Sequence, residues 1–296
     1  MRVFVTGATG FVGTAIVQEL LSAGHQVLGL ARSDASAQKL IDAGAEVHRG
    51  DLEDLESLRS GAKVTDGVIH AGFIHDFTRF AEVCEVDKKA IDAIGEVLLD
   101  TNKPFIVTSG TALVSPGKLA LEAIIPPFNP AWPRASEQVA DQVADKGVPA
   151  AIVRLSPSVH GNEDRHGFIP IMINIAKEKG VSAYVGEGLN RWNAVHCLDA
   201  AHLFRLALEN ARPHDRFHAV AEEALTVKSI AEAIGKLLNF PVVSVPMEQA
   251  AEHFGWFAHM AAIDCPSSSE WTQNHLDWTP TQSTLLADIE NGIYNL

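Results

Sequence analysis

Arg2-Val3-Phe4-Val5-Thr6-Gly7-Ala8-Thr9-Gly10-Phe11-Val12-Gly13 decides the fold of this chain. Arg2 to Thr6 reads as a short buried strand, and Gly7 to Gly10 as a turn. Phe11 to Ala23 reads as a helix, with Val12, Ile16, Leu20 and Leu21 at helical spacing and Gly24 closing it. A strand, a glycine turn and a helix in that order form a phosphate cradle. Gly7 permits the tight turn, Gly10 lets the backbone approach a pyrophosphate, and Gly13 lets the helix pack close to the sheet. The helix start then offers unpaired N–H groups and the positive end of its dipole to the phosphates. Thr9, Phe11 and Val12 complete the loop and count with the three glycines as cofactor-binding residues.

Working outward, strand and helix patterns alternate. Short apolar strands are expected at Gln26–Ala31, Ala45–His48, Gly67–His70, Pro104–Thr108 and Ala150–Leu155. Helices are expected at Ala35–Ala43, Asp54–Ser60, Phe77–Thr101 and Pro133–Lys146, the last with Pro133 in its first turn. Six strands alternating with helices predict an α/β fold, a doubly wound parallel sheet covered on both faces. Beyond Ser156 the regularity weakens. Helices are expected at Phe168–Lys179, Leu198–Glu209 and Val227–Leu238, and a further sheet strand at Phe217–Val220. The tail from Pro241 has little periodicity. The expected division is a dinucleotide-binding domain at 1–156, with 194–222 returning to it. The substrate-binding region is then 157–193 with 223–296.

Composition excludes several function classes. Of 296 residues, 47% are hydrophobic and 20% charged, an ordinary globular mixture. A chain this long hides roughly 75% of its unfolded surface and needs no staples. The formal net charge of −14 argues against non-specific binding of nucleic acid or an anionic membrane. Cys84, Cys197 and Cys265 are few, odd in number and far apart, which fits a reducing cytosol rather than a disulfide or zinc framework. His214 and His218 sit four apart in an alternating stretch, which does not make a metal pair. No run approaches the ~18 apolar residues of a membrane helix. A cytoplasmic protein with no metal is therefore expected.

These motifs resemble the short-chain dehydrogenase/reductase superfamily in its extended and atypical, epimerase/dehydratase-like branch. The loop carries that family's Gly-x-x-Gly-x-x-Gly spacing. Gly50-Asp51-Leu52 resembles the Asp-Leu that contacts the adenine. Val68-Ile69-His70-Ala71-Gly72 resembles the fourth-strand motif beside the cofactor. Thr108-Ser109-Gly110-Thr111 resembles the strand end that carries the catalytic Ser or Thr. Arg154-Leu155-Ser156-Pro157-Ser158-Val159-His160-Gly161 resembles the segment that reaches the nicotinamide. Arg191 to Ala201 resembles the block near the substrate domain. The resemblance implies a nicotinamide cofactor held by Asp51, Leu52, His70, Ala71, Gly72, Thr108, Pro157, Ser158 and Val159, with Ser109 and Thr111 as catalytic hydroxyls. It also implies dimerisation through the helices at Phe77–Thr101 and Pro133–Lys146.

The end of the second strand reads Leu30-Ala31-Arg32-Ser33. An NAD site usually has an acid there for the ribose 2′-OH. Arg32 and Ser33 suit a 2′-phosphate instead, so NADP is expected over NAD. The family's Tyr-x-x-x-Lys pair is absent. The only tyrosines are Tyr184 and Tyr294, and neither has a Lys four residues on. Where the pair should fall, Pro130 takes the Tyr position and Arg134 the Lys position, and Asp87 lies near a usual Asn. Arg134 can bind a ribose and hold charge, but cannot relay a proton. Three consequences stay open. Another acid serves: Ser109, Thr111, His75, His160 or a water. The substrate needs no strong acid. Or the chain binds NADP(H) without chemistry, as a regulator. An epimerase or isomerase that recycles its cofactor is a further alternative. Trp192, Trp256, Phe254 and Phe257 could line an apolar cleft for a small-molecule substrate, and Arg191 could meet a substrate carboxylate or a structural acid.

Overall fold

A computed structural model describes residues 1–112, 114–130 and 132–294. The chain opens with β1 (Arg2–Thr6), α1 (Phe11–Ser22), β2 (Gln26–Ala31), α2 (Asp34–Asp42), β3 (Glu46–Arg49), α3 (Leu55–Lys63), β4 (Gly67–His70), α4 (Phe80–Leu98) and β5 (Phe105–Gly110). It continues with α5 (Ser136–Asp145), β6 (Ala150–Leu155), β7 (Ser158–His160), α6 (Phe168–Lys179), β8 (Ser182–Val185), β9 (Arg191–His196), α7 (Cys197–Asn210) and β10 (Arg216–Ala219). The last part holds β11 (Glu222–Thr226), α8 (Val227–Leu238), β12 (Val242–Val245), α9 (Ala250–Phe254), α10 (Ala258–Ala262), α11 (Glu270–Leu276) and α12 (Leu285–Glu290).

Seven strands form one sheet in the order β10-β6-β5-β4-β1-β2-β3, every neighbouring pair parallel. This is the doubly wound parallel sheet expected from the alternation. The order reverses between β1 and β4, and ligands of such sheets bind outside the carboxyl ends at that switch point. Central strands are apolar on both faces because helices cover both. Val3, Val5 and Ile106 pack with α1 and α7 on one side, while Phe4, Phe105 and Val107 pack with α3, α4 and α5 on the other.

The region after β6 builds a smaller layer. The strands β11-β9-β7 form one sheet and β12-β8 another. Their core holds Ile169, Trp192, Ile230, Phe257 and Leu285. The tail is more regular than its sequence suggests, with β12 and four short helices. Leu276 and Trp278 pack into the core of the seven-stranded sheet, and the Trp278 indole N–H donates to the Asp199 carbonyl at 3.1 Å.

Of the element boundaries that differ from expectation, three bear on the site. Residues Phe77–Arg79 form a separate 3-10 turn capped by Asp76, so α4 starts at Phe80. The helix expected from Pro133 starts at Ser136, because the Arg134 side chain is tied back to the Thr108 carbonyl and the Ser136 hydroxyl. β5 runs on to Gly110, which places Thr108 and Ser109 inside the strand on opposite faces of the sheet.

Candidate active site

The loop after β1 is a cradle that only glycine permits. Gly7 has φ +68°, and a Cβ there would lie 2.7 Å from the Ala71 carbonyl carbon and from the Gly72 Cα. A Cβ on Gly13 would lie 1.9 Å from the Gly7 carbonyl oxygen. β1, β4 and α1 thus meet backbone to backbone. The start of α1 has no side-chain cap and no acid in its first turn, so its N–H groups stay available to an anion. Phe11 reaches the β7 segment, its ring 3.5 Å from where a Gly161 Cβ would stand. Leu52 packs against Gly72, and the Asp51 carboxylate accepts from the Glu53 and Asp54 N–H groups, which orders the loop after β3. The Thr108 and Ser158 hydroxyl oxygens are buried and have no hydrogen-bond partner among the described residues. The cradle, the uncapped helix start and the two orphaned hydroxyls fit a dinucleotide.

At the end of β2, Arg32 is exposed and has no carboxylate within 4.0 Å among the described residues. Ser33 caps α2 by accepting the Ser36 N–H. The adjacent acid, Asp34, pairs with Arg49 at 2.6 Å.

The expected catalytic residues separate. Ser109 faces α5 on the side of Glu137, whose carboxylate pairs with the fully buried Arg154 at 2.7 Å. Burial alone would raise the Glu137 carboxyl, but Arg154 outweighs it and holds the group below its ordinary range. Thr111 is buried and donates to Asn193 at 2.9 Å. His160 is buried and bonds Asp288 of α12 at 2.6 Å, and its pKa is lowered by that burial despite the carboxylate. Pro157 and Val159 flank Ser158, and Val159 pairs with Val195 of β9. Arg191 meets a structural acid, Asp264, at 2.8 Å. The apolar cleft expected from the aromatics is not formed by them: Trp192, Phe254 and Phe257 are core residues because β9, α6 and the tail helices close over them, and Trp256 is exposed.

A chain of hydrogen bonds that sequence reasoning missed runs beneath the site. The Gly72 N–H donates to the Thr6 hydroxyl at 3.1 Å. Thr6 meets His70 Nδ1 at 2.9 Å, and His70 Nε2 meets Asp87 Oδ1 at 3.1 Å. Ser136 donates to Asp87 Oδ2 at 2.5 Å, and Arg134 Nε donates to Ser136 at 3.0 Å. An ionised Asp87 only accepts, so His70 carries its proton on Nε2 and Thr6 donates to Nδ1. Burial would raise the Asp87 carboxyl, but the His70 bond, the Arg134 charge and the Ser136 bond hold it below its ordinary range. His70 is thus turned into the protein with both ring nitrogens engaged. Asp87 and Ser136 carried no sequence signal beyond the departure from Asn, because their partners lie 17 and 49 residues away.

Arg134 covers the end of β5. Its Nη2 donates to the Thr108 carbonyl at 3.1 Å, and its guanidinium lies 4.4 Å over the Phe73 ring. His75 packs edge-on against the same ring at 5.6 Å. His75 is solvent-exposed; surrounding protein lowers its pKa and the Arg134 charge lowers it further. No cluster of three metal-ligating side chains occurs among the described residues.

A parallel sheet with a glycine cradle at its switch point and an uncapped helix start defines a dinucleotide-binding α/β protein. Residues 3–220 match the NAD dependent epimerase/dehydratase family, and the chain belongs to that family. It is 50% identical to an uncharacterized protein of Schizosaccharomyces pombe, over 99% of this chain and 100% of that one. It is 27% identical to a decarboxylating sterol-4-alpha-carboxylate 3-dehydrogenase of Dictyostelium discoideum, over 76% of this chain and 72% of that one. The fold superposes on the Thermus thermophilus UDP-glucose 4-epimerase complex with NAD at a TM-score of 0.78, with 19% identity, covering 99% of this chain and 98% of that one. No helix among the described residues is long and apolar enough to cross a membrane.

Proposed function

We propose that this protein is an NADP(H)-dependent oxidoreductase of the cytosol that acts on a small carbonyl or alcohol compound. The observation that carries the reading is the end of β2. There Arg32 stands exposed, with no carboxylate within 4.0 Å among the described residues, and the neighbouring Asp34 is drawn to Arg49 at 2.6 Å. That end of the sheet suits a 2′-phosphate better than a 2′-hydroxyl. The residues that would hold the cofactor are the start of α1, Arg32 with Ser33, Leu52, Ala71 with Gly72, and the Thr108 and Ser158 hydroxyls. When bound, the nicotinamide supplies or takes up a hydride.

This chain's own residues supply the rest. The Arg134 guanidinium stabilises negative charge that develops beside the end of β5. His75, exposed beside the Phe73 ring that Arg134 covers, is the titratable group this reading assigns to proton exchange with solvent or substrate. The relative from Dictyostelium, named a sterol-4-alpha-carboxylate 3-dehydrogenase, supports an oxidoreductase reading, and a Corynebacterium glutamicum relative named UDP-glucose 4-epimerase, 24% identical over 99% of this chain, keeps epimerisation as the alternative.

The test is equilibrium titration of the purified protein with NADPH and with NADH, beside an Arg32→Ala variant. The expected result is preference for NADPH and a loss of about 10- to 100-fold in NADPH affinity alone in the variant. Equal affinity for both cofactors refutes the NADP assignment. Cofactor binding without turnover of any carbonyl or alcohol would favour a regulatory protein.

A further inference from the structure

We propose that Arg134 is the carboxylate-binding residue of the substrate site, so that the compound acted on carries an acid group close to its carbonyl or alcohol. The proposal deepens the oxidoreductase reading above and rests on it.

The first argument is the pairing of the arginines. Arg2, Arg59, Arg154, Arg191, Arg205 and Arg216 are all at least partly buried, and each has a carboxylate within 4.0 Å. Arg134 is likewise partly buried, and among the described residues it has none. The chain holds 37 acids, so a withdrawn guanidinium without one is a departure from its own pattern. Taking a cation from water without a counter-ion is costly, and an arriving anion relieves that cost.

The second argument is the donor count. A guanidinium has five N–H groups in a planar fork. Nε is spent on Ser136 and one Nη2 hydrogen on the Thr108 carbonyl. The remaining donors, both on Nη1 among them, have no partner among the described residues. The Phe73 ring at 4.4 Å and the Ser136 bond fix the plane of the fork, so it is already set for bidentate recognition of a planar anion.

The third argument is position and local charge. The start of α1 follows β1 and Arg32 follows β2, whereas Arg134 covers the end of β5, across the switch point. The cofactor phosphates therefore have their own partners, and the Arg134 charge is left for another anion. The groups that face it are His75 across Phe73, Cys84 and Asp87 from α4, and His166 of the β7–α6 loop through its effect on His75. Asp87 is the one acid of this group acting on Arg134, and its two oxygens are taken by His70 and Ser136. In a chain of net charge −14, this rim is where a small anion is welcome.

The experiment is calorimetric titration of the purified protein with acetoacetate and with its neutral methyl ester, repeated on Arg134→Gln and Arg134→Lys, with NADPH titrated separately into each. Acetoacetate is expected to bind about 10- to 100-fold more tightly than the ester. Arg134→Gln should erase that preference and Arg134→Lys restore part of it. No binding of the acid, equal affinity for acid and ester, or an unchanged preference in Arg134→Gln overturns the proposal. A variant that loses NADPH affinity and keeps acetoacetate affinity also overturns it, makes Arg134 a cofactor residue, and leaves the oxidoreductase reading standing. Circular dichroism checks that the variants fold. Should Arg134→Gln fail to fold, the acid-against-ester comparison on the unaltered protein decides.

Discussion

Replacing Asp87 with Asn tests whether the buried chain from Gly72 to Arg134 is a directed hydrogen-bond network. Asp87 is 2% exposed and accepts twice, from His70 Nε2 at 3.1 Å and from the Ser136 hydroxyl at 2.5 Å. Asn keeps the shape but offers one acceptor oxygen and one NH2. One of the two bonds must break or reverse, and the other loses its charge assistance. A bond to a charged group contributes about 1.5–3 kcal/mol and a neutral one about 0.5–1.5 kcal/mol, so the loss is about 2–4 kcal/mol. In a chain of this size that lowers Tm by roughly 3–6 °C. The sign with pH is also set. The Asp87 carboxyl titrates below its ordinary 3.8 in the folded chain, so its stabilisation is complete above that value and fades as pH falls through the lowered pKa. The gap between the two proteins should be full at pH 7 and close in strong acid. Denaturant unfolding at neutral pH and below pH 4 measures it. Equal stability at pH 7, or a gap that persists unchanged in acid, would refute the network.

Three further outcomes are expected. Gly13→Ala places a methyl 1.9 Å from the Gly7 carbonyl oxygen, where only backbone could yield, so it should cost about 1–3 kcal/mol and sharply weaken NADPH binding; wild-type titration curves would show the cradle to be looser than described. Arg154→Met leaves buried Glu137 with only Arg216, 3.6 Å away, and also frees the Glu122 and Ile124 carbonyls, a loss of about 2–4 kcal/mol in urea unfolding, and adding Glu137→Leu should recover part of it. His218 is lowered from 6.5 to about 4, first by burial and then by the Arg154 charge. The unfolded chain therefore takes up that proton first, and stability should fall by up to about 3 kcal/mol between pH 6.5 and 4, a slope that His218→Gln flattens.

Much of the architecture was legible because it is local. A five-residue apolar strand, a glycine turn and a helix with a 3.6-residue apolar period are written within some twenty residues. The alternation from Arg2 to Leu155 then leaves a parallel sheet as the way to bury strands that are apolar on both faces. The absence of Tyr-x-x-x-Lys and the Arg32 position were equally readable, since both are statements about residue type at a counted place.

What the sequence could not carry was which side chains meet across distance. Ser109 and Thr111 lie next to a strand end that reads as catalytic, yet an extension of β5 turns Ser109 to Glu137, and the β9 register hands Thr111 to Asn193. Trp192, Phe254 and Phe257 read equally well as cleft or core until α6 and the tail helices close over them. Arg134 came to attention only by alignment to a missing lysine. Its importance comes from what surrounds it: a ring from the β4 loop, a carbonyl of β5, a hydroxyl of α5, and no carboxylate within 4.0 Å among the described residues. Local periodicity sets strands and helices because backbone geometry repeats every two or 3.6 residues. Burial, pairing and the state of a charge depend on contacts between residues tens of positions apart, and only the folded chain brings those together.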